Sequence, residues 1–556
     1  MKDSYLAIAF GTVLLITYII DNLLQAKKKN AGLLPLPPGP KGLPFVGNLR
    51  DMPTPEVLAA HHWAKHRDLY GPISTVRVLG NTLIILNDAQ VVFDLFEKQS
   101  LVFSSRPKQY FSFELVGWKH GTGGQQYNDT LRYHRRSFAR IIGTHATASQ
   151  YNKLQEAEVG HFLLHVLDDP EGFREYIQKS VKAFPSIRYT ERLASTRLTI
   201  SATRQAGSVI LQIVYGYNTE QSKKDPLLAM MTKVMDDLTK SAAPGAFLVD
   251  IFPALRFVPS WFPATGWKKI AKRMAFDLRE AVEKPYAFVE NQRAEGNNRL
   301  SYLSKLIETS GDTPEEMHRN KWSAASLYGG GSDTTVASIA AFFLVMTVFP
   351  EVQQKAQAEI DRVVGAERLP TLDDRERLPY VDALAKEVLR WHPIVPMGVP
   401  HSNSEDATYR GYRIPKDAIL LPNIWWLTHD PAVYQDPTDF RPERHLEGQD
   451  REPEFDPRRL VFGFGRRICP GKILAESSLF LNIAQSLAVF DIAKKVVDGK
   501  VVEPKVDFED GLISHPMDFE TSIKPRSPRH EELVRSIEQT FPWKESDAEV
   551  LERMKG

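Results

Sequence analysis

One cysteine occurs in 556 residues, Cys469, inside the stretch FGFGRRICPG from Phe462 to Gly471. A lone thiol can form neither an internal disulfide nor a cysteine-based zinc cluster. Gly463, Gly465 and Gly471 permit a tight loop and a close approach of backbone to something flat or bulky. Pro470 suits the first turn of a helix, and the apolar spacing from Gly471 to Phe490 continues one. Cys469 is therefore expected at a helix N-terminus, where free N–H groups and the helix dipole favour a thiolate. A thiolate, a glycine loop and a flanking Arg467 able to pair with carboxylates describe an axial ligand to haem iron, with the arginine on a propionate. Free cysteine is most often a small buried hydrophobe. The full spacing F-x-x-G-x-R-x-C-x-G, through Phe462, Gly465, Arg467, Cys469 and Gly471, turns the reading to ligation.

Two other stretches carry unusual residues. SLYGGGSDTTVASIAAFF (Ser326 to Phe343) is an apolar helical run broken by Gly329, Gly330 and Gly331. Glycine inside a helix costs about 1 kcal/mol relative to alanine, so three together need a reason: a kink, a helix–helix contact or a ligand groove. In KEVLR, Glu387 and Arg390 lie three apart on one helix face, within ion-pair reach.

The elements around these residues are legible in outline. Ser4 to Ile20 is uncharged and followed by Lys27, Lys28 and Lys29. It reads as a retained membrane anchor, residues 1–26, with the lysines and everything after them cytosolic. Residues 27–50 form a basic, proline-rich hinge of stiff extended chain. From there to residue 525 the pattern is mainly helical with short strands, and no linker interrupts it. The expected architecture is one large domain, mainly α with small β-sheets, followed by a charged extension over 526–556. Ile73 to Asp88 reads as a hairpin turning at Gly80-Asn81. A formal charge of +1 argues against binding nucleic acid through a general basic field.

The cysteine stretch resembles the haem-binding signature of the cytochrome P-450 family of haem-thiolate monooxygenases. The resemblance runs from the anchor to about Pro525, and its wording is most similar to membrane-bound filamentous-fungal members of the O-methylsterigmatocystin oxidoreductase type. It implies haem b held by the Cys469 thiolate, with Arg467, Arg135 and His401 on the propionates. Leu131 stands where the family has a tryptophan. Asp333 and Thr334 match the acid–alcohol pair that delivers protons to bound oxygen. Glu387, Arg390 and Arg444 of FRPERH match a buried structural triad, with His445 in place of a phenylalanine.

Substrate-facing segments follow by the same resemblance: Arg106 to Gly124, His392 to Pro400, and Gly511 to Phe519. Phe247 to Pro263 would lie over a substrate entrance at the membrane. The implied reaction inserts one oxygen atom of O2 into a lipophilic small molecule. Electrons come from NADPH through NADPH–cytochrome P-450 reductase, or cytochrome b5, at the endoplasmic reticulum membrane. Arg458, Arg459, Arg466 and Lys472 would form a basic rim for that donor. Fungal kinship points to specialised terpenoid or polyketide metabolism. The competing readings are a haem-thiolate isomerase or dehydratase acting on a hydroperoxide, a cysteine-nucleophile hydrolase, and a non-catalytic lipid or haem carrier. The intact Asp333-Thr334 pair disfavours the first and last; the hydrolase lacks a local histidine–asparagine signature.

Overall fold

The computed structural model describes residues 33–54, 56–168, 197–221, 223–242, 245–262, 265–448 and 452–554. The anchor and the first part of the hinge lie outside the described residues. The architecture is largely helical. Its main helices are α1 (Asp129–Ile142), α2 (Asn152–Asp168), α3 (Arg197–Tyr215), α4 (Pro226–Ala242), α5 (Gly266–Ala294), α6 (Pro314–Gly331), α7 (Asp333–Val348), α8 (Pro379–Trp391) and α9 (Lys472–Val489).

Helix α7 is apolar all round, and such a helix belongs inside a core. Ile339, Phe342, Phe343 and Leu344 are fully buried and share one hydrophobic cluster with Phe480, Ile483 and Leu487 of α9. By length and composition the span Pro314–Val348 could cross a membrane, but 67% of its most apolar window is buried within the protein. It is the central helix of the body. Thr313 starts it, its side chain accepting from the Glu316 N–H with Pro314 in the first turn.

A four-stranded sheet flanks the helices: β1 (Ile73–Val78), β2 (Asn81–Leu86), β3 (His401–Ser402) and β4 (Ile419–Pro422), in the order β1-β2-β4-β3. The expected hairpin is present, but its turn lies one residue earlier. Val78 pairs with Asn81, leaving Leu79 and Gly80 as the two turn residues. Both have positive φ, +49° and +88°, as the tight turn that matches strand twist requires. The described part of the hinge is no free spacer. The Pro38 carbonyl accepts from Thr75 N–H on β1 and the Pro35 carbonyl from Arg413 N–H, each at 2.8 Å.

The C-terminal extension docks on the body. Trp543 stacks on His161 of α2 at 3.6 Å, and His161 Nε2 donates to the Phe541 carbonyl at 2.8 Å. Asp547 pairs with Arg299 and accepts from the Asn218 N–H.

Candidate haem-thiolate site

Cys469 is half-buried in a loop closed on itself: its N–H donates to the Phe462 carbonyl at 2.7 Å. Gly465 has φ +51°, and a Cβ there would lie 2.1 Å from the Phe96 carbonyl oxygen, so only glycine fits. Gly463 also has positive φ. The helix begins later than expected. Gly471 is the N-cap of α9, with non-helical backbone, so Pro470 and Cys469 precede the helix. The Gly471 N–H still donates toward the sulfur, and Arg135 and Lys472 also favour the thiolate, but burial is the larger effect and pushes the Cys469 thiol up. Burial thus opposes the thiolate that the loop's N–H and cations favour; a cation bound at sulfur would stabilise it.

Above this loop lies a concentration of positive charge. Arg467 donates to the carbonyls of Ser104 at 2.7 Å, Thr122 at 3.0 Å, and Gln125. Arg106, buried, donates to those of Gly123, Val399 and Pro400 at 3.2, 2.9 and 2.7 Å. Arg135 donates to the Ile468 carbonyl. Among the described residues no carboxylate pairs with any of the three. Burial lowers the pKa of both Arg106 and Arg467, and Arg467 is lowered further by repulsion from Arg106 and Arg135. Buried cations without counter-charge are costly. A ligand with two carboxylates would relieve that cost, which is what haem propionates provide. The donor set therefore fits the implied cofactor.

His401 belongs to the same group. Its Nδ1 donates to the Phe103 carbonyl at 2.7 Å, and its ring stacks on Phe96 at 4.0 Å. Burial, then Arg106, hold it well below the usual histidine range, as a neutral imidazole. Leu131 is buried without a polar function. Neither neighbour stands in for a missing tryptophan donor: Arg132 pairs with Asp129 on the exposed face, and His134 is fully buried against the Thr122 hydroxyl at 2.9 Å. Arg106 was not distinguishable in the sequence from other arginines of a loop; only the fold brings it beside Arg467.

The three glycines divide their work. A Cβ on Gly329 would meet Met235 Sδ at 3.1 Å, and one on Gly331 would meet Ile210 at 2.8 Å, so these two allow close helix packing. Gly330 faces open space. The helix breaks at Ser332 and resumes with Asp333. Thr334 donates its hydroxyl to the Gly330 carbonyl at 2.8 Å, which leaves its oxygen free to accept. Asp333 Oδ1 lies 3.1 Å from His515 Nε2.

Glu387, Arg390 and Arg444 meet in full burial. Arg390 contacts both Glu387 oxygens at 2.8 Å, and Arg444 Nε donates to Oε1 at 3.1 Å. His445 joins them, its Nε2 2.9 Å from Oε2, and the Arg441 N–H donates at 2.9 Å. The histidine that departs from the family pattern thus adds a fourth side chain to the network. Burial opposes the charged carboxylate, but the bonds from Arg390 and His445 outweigh it and hold Glu387 at about 2.

At the surface, Leu248, Phe252, Phe257, Trp261 and Phe262 are exposed, Phe257 by 74% and Trp261 by 81%. An apolar run of this composition is ordinarily core, and here it is not. The basic rim is thinner than the sequence suggested: Arg458 is paired with Asp456 and Glu476, and Lys472 lies 3.8 Å from Glu476. Arg459 and Arg466 remain exposed, stacked on Phe455 and Tyr127.

A family profile described as Cytochrome P450 matches residues 37–521. Cytochrome P450 monooxygenase claR of Ampulloclitocybe clavipes is 44% identical over 93% of this chain and 91% of its own. Cytochrome P450 monooxygenase ppsD of Aspergillus oryzae is 42% identical over 96% and 97%. O-methylsterigmatocystin oxidoreductase of Aspergillus flavus is 39% identical over 99% and 98%. Relatives so named are oxygen-incorporating oxidoreductases. The chain belongs to the cytochrome P450 family.

Proposed function

We propose that this protein is a monooxygenase that binds haem b through Cys469 and inserts one atom of O2 into a lipophilic small molecule of fungal specialised metabolism. The observation that carries this reading is the uncompensated arginine cluster beside the cysteine loop. Bound haem would supply oxygen activation, its thiolate ligand favouring O–O cleavage. Arg467, Arg106 and Arg135 would hold the propionates, with the neutral His401 available as a hydrogen-bonding partner. The Gly471 N–H and Gly465 would shape the sulfur's surroundings. Asp333 and Thr334 would hold and pass protons, Thr334 accepting at Oγ1 because its own proton is committed to Gly330.

The exposed aromatic run from Phe252 to Phe262 supports a catalytic body resting on a membrane, where an apolar substrate concentrates. Together with the anchor read from residues 1–26, this supports a location on the endoplasmic reticulum membrane, in reach of an NADPH-dependent reductase. Terpenoid or polyketide substrates are the class proposed.

The test is the reduced carbon monoxide spectrum. The purified protein should show the strongly red-shifted Soret band of thiolate-ligated iron. Cys469→Ala should abolish it or move it to the position of a non-thiolate haem. An unchanged band in that variant would remove Cys469 as ligand.

A further inference from the structure

His515 is set into the structure with unusual care for a loop residue. The neighbouring Ser514 N–H donates to the Ile394 carbonyl at 2.8 Å, and the Ser514 carbonyl accepts from His392 Nε2 at 2.9 Å. The Ser514 hydroxyl donates to the Glu509 carbonyl, and the Glu509 N–H to the His515 carbonyl, each at 2.8 Å. Phe508 bridges to Pro516 and stacks on His392 at 3.8 Å. Five contacts on three consecutive residues therefore fix the backbone that aims the imidazole at Asp333, 3.1 Å away.

The surroundings are acidic. Asp333 faces His515 from α7, Asp236 from α4, and Glu509 from its own loop; Lys240 stands by Asp236, and His392 lies on the α8 side. Asp518 adds negative charge beside Glu509. Burial opposes the imidazolium, but Asp333 outweighs it, with Glu509 and Asp236 behind, and holds His515 above its ordinary value. Desolvation and the neighbouring carboxylates also push Asp236, at the exposed edge of the group, and Glu509 up, so each more readily carries a proton.

We propose that His515 is a positioning residue for proton delivery, orienting Asp333 and recharging it with protons drawn from the Glu509 and Asp236 side. The step conserves charge. The imidazolium gives its Nε2 proton to Asp333 Oδ1, so an imidazolium–carboxylate pair becomes an imidazole and a carboxylic acid. Asp333 passes that proton toward Thr334. The imidazole regains one from Glu509 or Asp236, which solvent reprotonates. The inference rests on the reading of Asp333 and Thr334 as the acid and alcohol of the site.

Two readouts test it on the haem-loaded protein. The first is the titration of His515 by NMR of histidine-labelled protein in its diamagnetic reduced carbon monoxide form, with the signal assigned by its absence in His515→Gln. It should titrate above 6.5, and Asp333→Asn should lower its proton affinity about tenfold; an unchanged titration in Asp333→Asn overturns the proposal. The second needs no identified substrate. With reductase and NADPH, oxygen leaves as peroxide after two electrons and two protons, or as water after four of each. His515→Gln should raise peroxide per NADPH at least twofold. His515→Lys keeps a cation beside Asp333 but exchanges protons poorly near neutrality, and it should not restore the parent ratio. Restoration by lysine would mean a structural latch only and overturns the proposal. A rise in Thr334→Ala with none in His515→Gln sinks the role of His515 alone, whereas no rise in Thr334→Ala sinks the acid–alcohol reading and this inference with it.

Discussion

Replacing Glu387 by glutamine tests how much of the fold hangs on one carboxylate. The side chain has no solvent exposure, and Arg390, Arg444, His445 and the Arg441 N–H all converge on it. The Glu387→Gln variant keeps the volume and removes the charge. Arg444 then retains Glu454 at 2.6 Å, but Arg390 loses its only carboxylate and keeps one amide oxygen and the carbonyls of Thr428, Pro437 and Asp439. Breaking a buried pair from one side costs about 3–5 kcal/mol. At ~2 cal/mol/K of unfolding entropy per residue, a domain of this size loses roughly 1 °C of Tm per kcal/mol, so the expected fall is about 3–5 °C. A group whose folded pKa is depressed stabilises above its unfolded value, so this contribution is complete above about 4.5 and fades as pH falls toward 2. Melting followed at the Soret band should show the deficit at neutral pH and show it narrowing in acid. A deficit under about 1 °C at neutral pH would refute the reasoning.

Further outcomes follow from the same geometry. Arg106→Met should speed haem loss to an acceptor protein roughly tenfold or more, since a charge-assisted bond is worth about 1.5–3 kcal/mol; an unchanged rate would remove Arg106 from the cofactor site. Gly465→Ala should destabilise by more than ~1–2 kcal/mol, because the left-handed conformation is joined by a Cβ 2.1 Å from the Phe96 oxygen, and denaturant melts would detect it. Arg459→Glu should slow the first electron transfer from the reductase and flatten its salt dependence without changing substrate affinity, measured by stopped-flow reduction under carbon monoxide. The stability contributed by the His515–Asp333 pair should be complete below about 6.5 and lost as pH rises past the raised value, so Asp333→Asn should cost more at pH 6 than in alkali.

What the sequence made legible was local. The cysteine loop, the glycine triplet and the ion pair on α8 are signals carried within about ten residues, where spacing and backbone requirements coincide. The turn of the first hairpin was misplaced by one residue because Gly80 was paired with Asn81 rather than with Leu79, a residue that seldom takes positive φ. The start of α9 was placed too early because proline is tolerated in a first turn without requiring one. The aromatic run from Phe252 to Phe262 is exposed and His134 is buried, and neither could be read from residue type alone, since exposure depends on what the fold brings alongside.

The arginine cluster shows why the rest was hidden. Arg106, Arg135 and Arg467 are separated by up to 361 residues in the chain, and each alone is an ordinary surface residue type. Among the described residues no carboxylate pairs with any of them, and such an absence in three dimensions has no linear signature. The same holds for His515, 182 residues from Asp333. On the proposed reading, a dianionic cofactor would balance the positive charge of the arginines, and a proton would offset the acidic groups gathered around His515. A protein selected for stability alone would pair the three arginines internally, so their lack of a carboxylate partner among the described residues supports the proposed cofactor reading.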